Sequence, residues 1–236
     1  MNDRLKKIKS TGYWRVEIRP TVFKKDRVQD LATLWSIIDT AKVLLSGWDY
    51  PHVDPVERSN GIDYIESGCD WFEFVELWRF YQSGMFIHYF ACVEDYKKGH
   101  AAEAANRWGQ FHENNMPTAY LSILYTLFKV TEIFEFSIRL VQKQILEPAA
   151  FIKVELFRTR GRMLFFWEPG RLLRGTYISQ LDNIPFELTI PSQELLARGH
   201  EIALEKTIYL FERFHWMDVP RQVLLEEQKK FLQKRL

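Results

Sequence analysis

Cysteine is scarce in this chain, which has only two in 236 residues, Cys69 and Cys92. Two cysteines exclude a disulfide framework, and because both lie among aromatic residues we predict two buried free thiols. Sparse cysteine is typical of a reducing cytosol, so we predict a cytoplasmic protein. The first residues, MNDRLKKIKS, are polar and basic, and we expect no secretory signal in them.

Long apolar runs and an excess of one charge are missing as well. The most apolar long stretch is Tyr120–Leu140, and it contains Lys129, Glu132, Glu135 and Arg139. Four charges argue against a membrane helix, so we expect no membrane association. The net charge of +1 provides no overall field that would attract nucleic acid.

The standard catalytic signatures are also lacking. There is no Walker A motif, no GxGxxG, no GxSxG, no HExxH and no CxxC. His112–Glu113 begins like a zinc-protease motif, but the second histidine is missing. These absences favour a protein that is not an enzyme and that binds no cofactor and no metal.

Aromatic residues, by contrast, are abundant. The chain has 18 Phe, 10 Tyr and 8 Trp, and hydrophobic residues make up 47% of it. Such a composition builds either a dense aromatic core or a surface for a protein partner, and both interpretations stay open. The length predicts one compact domain over 1–236, with an alternative division into a mostly helical part, 1–147, and a second part, 148–236.

The N-terminal pattern predicts a strand followed by a helix. Alternating apolar residues over Tyr13–Arg19 predict a half-buried strand that ends at Pro20. Apolar residues at helical spacing predict an amphipathic helix over Val28–Leu45, with Gly47 as its C-cap. The stretch Ser46–Gly68 reads as a long irregular loop that packs down on the domain.

The middle of the chain predicts two helices around a buried strand. Asp70 is a candidate N-cap for a helix over Trp71–Gln82, and the apolar run Met85–Val93 predicts a central strand. Residues 97–116 look like a connector with a short helix. Pro117–Leu146 predicts the longest helix, packed on several sides at the centre of the fold.

The C-terminal third predicts strands and then two helices. The predicted strands are Phe151–Arg158, Met163–Trp167, Arg174–Ser179 and Phe186–Ile190. Thr159–Arg162 is interpreted as a hairpin turn between the first two strands. Helices are expected over Ser192–His215 and Pro220–Lys234. The predicted fold class is therefore α+β, with an N-terminal strand–helix unit, a long central helix, an antiparallel sheet and two C-terminal helices.

The first candidate site lies in the sequence Trp48–Asp49–Tyr50–Pro51–His52. One histidine between the carboxylates of Asp49 and Asp54 is a candidate oriented base, with Trp48 and Tyr50 as binding residues. The alternative is that both aspartates form turns while the aromatic rings pack down. The lack of a second histidine nearby argues against a metal site.

Two further candidates combine charge with aromatic surroundings. Arg79 and Gln82 lie among large aromatic residues, where a guanidinium could bind a carboxylate or phosphate, or form a structural pair. Glu132, Glu135 and Arg139 fall on one side of the predicted central helix. The last three predict a buried salt-bridge network, or a pair of carboxylates in acid–base chemistry.

The fourth candidate is the predicted hairpin tip with Arg158, Arg160 and Arg162. Three arginines on one tip could clamp phosphates of RNA or DNA, or could simply keep the turn soluble. Residues 1–29 carry nine Lys or Arg against three Asp or Glu, which leaves a shared anion-binding face open.

Four segments together carry a family resemblance: GWDYPH, WRFYQSGMFIHYFA, TEIFEFSIRL and IYLFERFHW. They resemble an uncharacterised bacterial domain that accompanies Schlafen-type AlbA domains, which are associated with DNA binding. The resemblance covers about residues 13–216 and brings no known active site. It differs in that this chain has no separate AlbA-like domain. It implies a bacterial protein that works beside a nucleic-acid-handling partner in defence against foreign DNA.

These observations lead to one main functional prediction and two alternatives. We predict a non-catalytic binding or interaction module with a protein partner or a second copy of itself. The first alternative is a protein that binds RNA or DNA through its basic segments. The second is a hydrolase or nuclease that uses His52, Asp49, Glu132 and Glu135.

Overall fold

A computed structural model describes residues 3–106, 117–171 and 173–234. The helices are α1 (Asp3–Ser10), α2 (Leu31–Ala41), α3 (Val93–Tyr96), α4 (Lys98–Asn106), α5 (Ile123–Gln142), α6 (Ser192–Glu212) and α7 (Arg221–Leu232). The strands are β1 (Tyr13–Pro20), β2 (Ser59–Asn60), β3 (Tyr64–Trp71), β4 (Phe74–Tyr81), β5 (Phe86–Ala91), β6 (Ala119–Ser122), β7 (Ala149–Phe157), β8 (Arg162–Phe165) and β9 (Asn183–Pro191). A short 3-10 helix covers Pro55–Glu57.

Seven of these strands form one antiparallel sheet in the order β2-β3-β4-β5-β1-β7-β9. Strand β1 lies inside the sheet, where Val16 is opposite His88 of β5 on one side and Val154 of β7 on the other. The predicted alternation of β1 is confirmed, because Trp14, Val16 and Ile18 are buried while the residues between them are half-buried. Strands from before and after residue 147 thus share the same sheet.

The two faces of the sheet are covered differently. Helix α5 lies in the main core and contacts α2, α6 and α7 as well as that face of the sheet. Helix α1, which the sequence did not predict, covers β4 and β5 on the opposite face, where Ile8 packs with Val75, Leu77 and Ala91. A second small sheet pairs β6 with β8 in parallel. The α+β class, the antiparallel sheet, the long central helix and the two C-terminal helices are confirmed.

The predicted helix over Trp71–Gln82 is wrong, because this stretch forms the β3–β4 hairpin. Its turn has Phe72 in the left-handed region, with φ of 48°. The predicted loop over Ser46–Gly68 is also too long, because β3 begins at Tyr64. Strand β4 is buried on both faces, since Leu77 packs toward α1 while Trp78 lies in the main core. Burial on both faces removes the alternation that identifies a strand.

Two predicted helix boundaries are wrong. Helix α2 ends at Ala41, with Lys42 rather than Gly47 at its C-cap, because Val43 turns back to pair with Tyr50. Helix α5 begins only at Ile123, after the strand β6, and at 20 residues it is one shorter than α6. The Ser122 hydroxyl caps α5 by accepting from the Tyr125 backbone N–H at 3.3 Å.

The predicted hairpin at Thr159–Arg162 is wrong as well. Strand β7 pairs with β1 and β9, whereas β8 pairs with β6, so residues 159–161 connect two different sheets. The predicted strand Arg174–Ser179 is reduced to one bridge between Ile178 and Met163. Cys69 and Cys92 are buried free thiols, as predicted. Of the predicted connector 97–116, α4 is described and 107–116 lie outside the described residues.

Candidate functional site

The segment 42–54 brings most of the first predicted motif to one place. Val43 and Tyr50 exchange both backbone hydrogen bonds, at 2.8 and 2.9 Å, which closes the intervening residues into a loop. The loop places the Tyr50 ring in the core, only 2% exposed, and leaves Trp48 half-buried above it. The Trp78 indole N–H donates to the His52 carbonyl at 2.6 Å and so ties the end of the loop to β4.

Four rings, of Trp48, His52, Trp71 and Phe74, form a cluster that we call the aromatic cap. The Trp48 ring is stacked between His52, at 4.0 Å between ring centroids, and Phe74, at 4.3 Å. Trp71 meets Trp48 and His52 edge-on, at 5.8 and 5.4 Å. Stacking and edge-on contacts are favourable aromatic geometries, so the rings of the cap pack on one another and cover the strands beneath.

An ion pair holds His52 in the aromatic cap. His52 Nδ1 donates to Asp49 Oδ1 at 2.6 Å, and Lys42 Nζ lies 3.3 Å from the other oxygen of the same carboxylate. Burial alone would lower the pKa of His52, but the hydrogen bond with Asp49 and the attraction of nearby carboxylates, Glu76 among them, together outweigh burial and raise that pKa. Burial likewise opposes the charge of Asp49, yet His52 and Lys42 hold its pKa below the usual value. Asp54 does not join this pair, because its carboxylate caps the short 3-10 helix.

This pair predicts a defined dependence of stability on pH. Because the pKa of His52 is raised in the folded state, its pairing stabilises the fold fully below about pH 6.5, and this stabilisation is lost as the pH rises through the folded-state pKa. Because the pKa of Asp49 is lowered, its contribution is present above about pH 4. We therefore expect His52→Gln to lower the free energy of unfolding most at about pH 5.5, with a smaller loss at about pH 9. Urea unfolding between about pH 5.5 and 9 measures the free energy of unfolding of the variant and of the original protein. His100→Gln, at an exposed position of α4, is the control. An equal loss at both pH values would contradict the assignment.

Beneath the aromatic cap lies a second group, Glu76, His88, Lys129 and Glu132, which we call the buried charge cluster. Their side chains are 7%, 1%, 6% and 0% exposed. The Trp48 indole N–H donates to Glu76 Oε1 at 2.8 Å, and His88 Nε2 donates to Glu76 Oε2 at 2.7 Å. Lys129 Nζ donates to Glu132 Oε2 at 2.8 Å. Trp48 therefore connects the cap directly to the cluster.

Strand register and helix position bring this cluster together. Trp78 is opposite His88 and Glu76 is opposite Phe90, so Glu76 and His88 are diagonal neighbours on the core face of the sheet. Lys129 and Glu132 are three residues apart on α5 and thus share one side of that helix. Because α5 crosses this face of the sheet, its ion pair lies near the Glu76–His88 pair.

The charge states within the cluster follow from burial and hydrogen bonding. Burial lowers the pKa of His88 despite the attraction of Glu76, so the imidazole is neutral at neutral pH. Burial opposes the charge of Glu76, but the hydrogen bonds from His88 and Trp48 hold its pKa below the usual value. Burial also opposes the charge of Lys129, but the attraction and hydrogen bond of Glu132, with smaller effects of Tyr125 and Glu76, together outweigh it and keep the pKa of Lys129 well above its usual value.

A small cavity lies between the aromatic cap and the buried charge cluster. Its lining includes Trp48, Tyr50, His88, Tyr125 and Lys129, and it has about 20 Å³ for the centres of water-sized spheres, which is room for one such group. Among the described residues, two that line this cavity have a buried side-chain atom without a hydrogen-bond partner, Tyr50 Oη and His88 Nδ1, and His52 Nε2, Thr126 Oγ1 and Glu132 Oε1 are further unpartnered atoms outside the lining. Buried polar groups in proteins are almost always satisfied, so this concentration points to a bound group.

Arg79 and Gln82 lie elsewhere and make structural contacts. The Arg79 guanidinium forms an ion pair with Glu66 and stacks 4.7 Å from the Tyr64 ring centroid. The Gln82 side-chain amide donates to the Val28 carbonyl at 3.0 Å and so holds the segment before α2. Neither residue lines the cavity.

Glu132 and Glu135 take part in separate networks. Glu135 accepts from Arg139 Nε at 2.7 Å and from His200 Nε2 of α6 at 2.9 Å. Arg139 also donates to the Lys42 carbonyl at 2.6 Å, which joins α5 to the end of α2. Burial opposes the charge of Glu135, but His200 and Arg139 hold its pKa below the usual value.

The three arginines of the predicted tip do not form one clamp. Arg158 is exposed with a left-handed backbone, φ 58°, and Arg160 forms an exposed pair with Asp182 at 2.7 Å. Arg162 is only 1% exposed and donates to Asp95 Oδ2 at 2.8 Å and to the Tyr120 carbonyl. Its positive charge is compensated by Asp95 in the interior and is not available to an external phosphate.

Sequence reasoning missed three residues of the buried charge cluster as site residues: Lys129 on α5, and Glu76 and His88 on the strands β4 and β5. Both strands are strongly apolar stretches, where an isolated polar residue must find a buried partner. That signal was available for His88. The wrong helix prediction for 71–82 hid it for Glu76, because it placed Glu76 on the wrong kind of element.

Comparison with known proteins adds no relative. No protein-family model matches the chain, and no curated protein or solved structure is significantly similar to it. The resemblance to the Schlafen-associated domain therefore stays a prediction. In the described part of the chain, no helix has the length and apolar composition to cross a membrane. Over those same residues, no group of three or more His, Cys, Asp or Glu side chains is arranged to hold a metal ion.

Proposed function

We propose that this protein is a non-catalytic binding module that holds a small polar group in the cavity beneath the aromatic cap. The observation that supports it is the pair of unpartnered buried atoms on the lining residues Tyr50 and His88, Tyr50 Oη and His88 Nδ1. An unpaired buried polar group costs about 1–3 kcal/mol, so a ligand that satisfies these atoms binds with a corresponding gain.

The size and chemistry of the site favour binding over reaction. Room for one water-sized group does not accommodate both a nucleophile and the centre it attacks. Lys129 is a poor nucleophile because its raised pKa keeps it an ammonium. The nearby thiol of Cys69 is no better, since burial raises its pKa far above the usual value and suppresses the reactive thiolate.

A protein partner fits the same proposal. The β3–β4 turn beside the aromatic cap exposes 48% of Trp71 and 92% of Phe72. Exposed aromatic side chains next to a small pocket are typical of interface anchors. In this proposal the ligand is either a free small molecule or a side chain of a partner that contacts these two rings.

Replacing Tyr50 by phenylalanine tests the binding function. Because Tyr50 Oη has no partner among the described residues, Tyr50→Phe is expected to leave the melting temperature unchanged or to raise it. Ligand binding, however, is expected to weaken. The probes are methylammonium, methanol and formate, which differ in charge but are similar in size. Binding is followed by the NMR signal of the Trp48 indole N–H, assigned with Trp48→Phe.

Tyr96→Phe is the matched control, because Tyr96 packs near α1 on the other face of the sheet. We expect at least one probe to give a saturable shift in the original protein and in this control, and a smaller one in Tyr50→Phe. If none of the three probes distinguishes Tyr50→Phe from the control, the proposed function is wrong.

A further inference from the structure

The buried charge cluster carries more negative than positive charge. Glu76 and Glu132 are carboxylates, Lys129 is the single ammonium, and His88 is neutral, which leaves a formal charge of −1. An uncompensated charge is costly in a buried site, since its attraction to water is lost. A bound group with one positive charge would bring the cluster to neutrality.

The unpartnered atoms call for a hydrogen-bond donor. His88 uses Nε2–H toward Glu76, so its free Nδ1 is an acceptor. The Tyr50 hydroxyl can either donate or accept. Glu132 Oε1 is unpartnered as well, but Glu132 does not line the cavity, so its carboxylate acts on a ligand through its charge. An ammonium group has three donors and no acceptor, whereas a carboxylate ligand would have only acceptors.

The walls and dimensions of the cavity agree with a small cationic head group. The rings of Tyr50 and Tyr125 already face one ammonium, because Lys129 Nζ lies 5.8 and 5.4 Å from their centroids. Aromatic rings attract cations through their negative faces. The space for one water-sized group admits a primary ammonium and excludes a quaternary one.

The entrance to the cavity has little charge of its own. Its half-buried lining residues include Asp49 and Glu73, and each carboxylate is paired, with His52 and Lys97 respectively. Selection by charge must therefore come from the buried charge cluster rather than from the rim.

We propose that the ligand of this cavity is a primary amine in its ammonium form, bound among the lining residues Tyr50, His88 and Glu76 and attracted by the net negative charge of the buried charge cluster. This inference rests on the proposed binding function and adds the chemical class of the ligand. The amine belongs either to a small molecule or to a lysine side chain of a partner, since both present the same head group.

Titration with matched probes tests the ligand class in the intact protein. We expect methylammonium to give a saturable shift of the Trp48 indole signal, whereas formate, methanol and tetramethylammonium do not. Nα-acetyl-lysine methylamide represents the side chain of a partner. Tighter binding of this amide than of methylammonium would assign a protein partner, and the reverse would assign a free amine.

A pair of variants on α5 tests the charge argument. Glu132→Gln removes the excess negative charge of the cluster and is expected to weaken methylammonium binding about tenfold. Glu135→Gln is the matched control, because Glu135 lies one turn along the same helix and pairs outside the cluster, with Arg139 and His200. If Glu132→Gln does not fold, the comparison of methylammonium with formate, methanol and tetramethylammonium in the original protein decides whether the ligand is a primary amine.

The two proposals fail in different ways. Binding of formate or methanol with the Tyr50 dependence described above would keep the binding function and overturn the amine assignment. Equal binding of tetramethylammonium and methylammonium would overturn it too, since the former has no N–H donor. The absence of binding by every probe would overturn both.

Discussion

Replacing Arg162 by methionine is expected to lower the free energy of unfolding by about 3–5 kcal/mol. The Arg162 guanidinium is buried and donates to Asp95 Oδ2 at 2.8 Å and to the Tyr120 carbonyl. Asp95 Oδ2 also accepts from the Gly12 backbone N–H at 2.6 Å. Methionine fills a similar volume but leaves the carboxylate of Asp95 buried without its counter-charge, and this uncompensated charge is the main cost.

Urea unfolding followed by circular dichroism measures the loss. Arg160→Met, two residues earlier, is the control, because Arg160 is exposed and its pair with Asp182 is in contact with solvent. Arg162→Lys keeps the charge but cannot reach both partners with a planar fork, so we expect an intermediate stability. If Arg162→Met and Arg160→Met unfold at the same urea concentration, the structural role assigned to Arg162 is incorrect.

Lys129→Met is expected to have a comparable effect, about 3–5 kcal/mol, for a different reason. It removes the single ammonium of the buried charge cluster and leaves the carboxylates of Glu76 and Glu132 close together. Glu76 then loses the attraction of Lys129 that helps to hold its pKa below the usual value, so its pKa rises. A raised acid pKa in the folded state favours low pH, so the deficit relative to the original protein should be smaller at about pH 5 than at about pH 8.

The double variant Lys129→Met/Glu132→Gln separates the lost ion pair from a packing defect. Removing both charges avoids the stranded carboxylate of Glu132, so more than half of the lost stability should return. A double variant no more stable than Lys129→Met would show that the aliphatic stem of Lys129, rather than its charge, stabilises this part of the core.

Patterns within short segments predicted those strands and contacts whose residues are close together in the sequence. The alternation in β1 was readable because that strand is buried on one face, and the Asp49–His52 pair was readable because its members are three residues apart. Strand β4 was missed because α1 covers one of its faces and the core covers the other. From the end of β3 into β4, Trp71, Phe74, Val75 and Trp78 have the spacing of a helical face.

The rest of the candidate site depends on contacts between distant segments. Glu76 and His88 meet only because of the register between β4 and β5, and Trp48 reaches them from a loop. Glu132 and Glu135 were predicted on one side of α5, yet their partners come from different directions, Lys129 on the helix itself and His200 on α6. No spacing within one element could distinguish these outcomes.

The position of β1 inside the sheet also has a consequence for biosynthesis. One of its two neighbours is β7, and the Arg15–Glu155 pair between them joins residues 140 positions apart. Pairings of such long range are slow to form, because the intervening chain loses entropy on closure. During translation β1 is synthesised before β7 and has one edge without a partner until β7 has left the ribosome. Fragments that end before β7 therefore retain an unpaired strand edge, which is a site for aggregation.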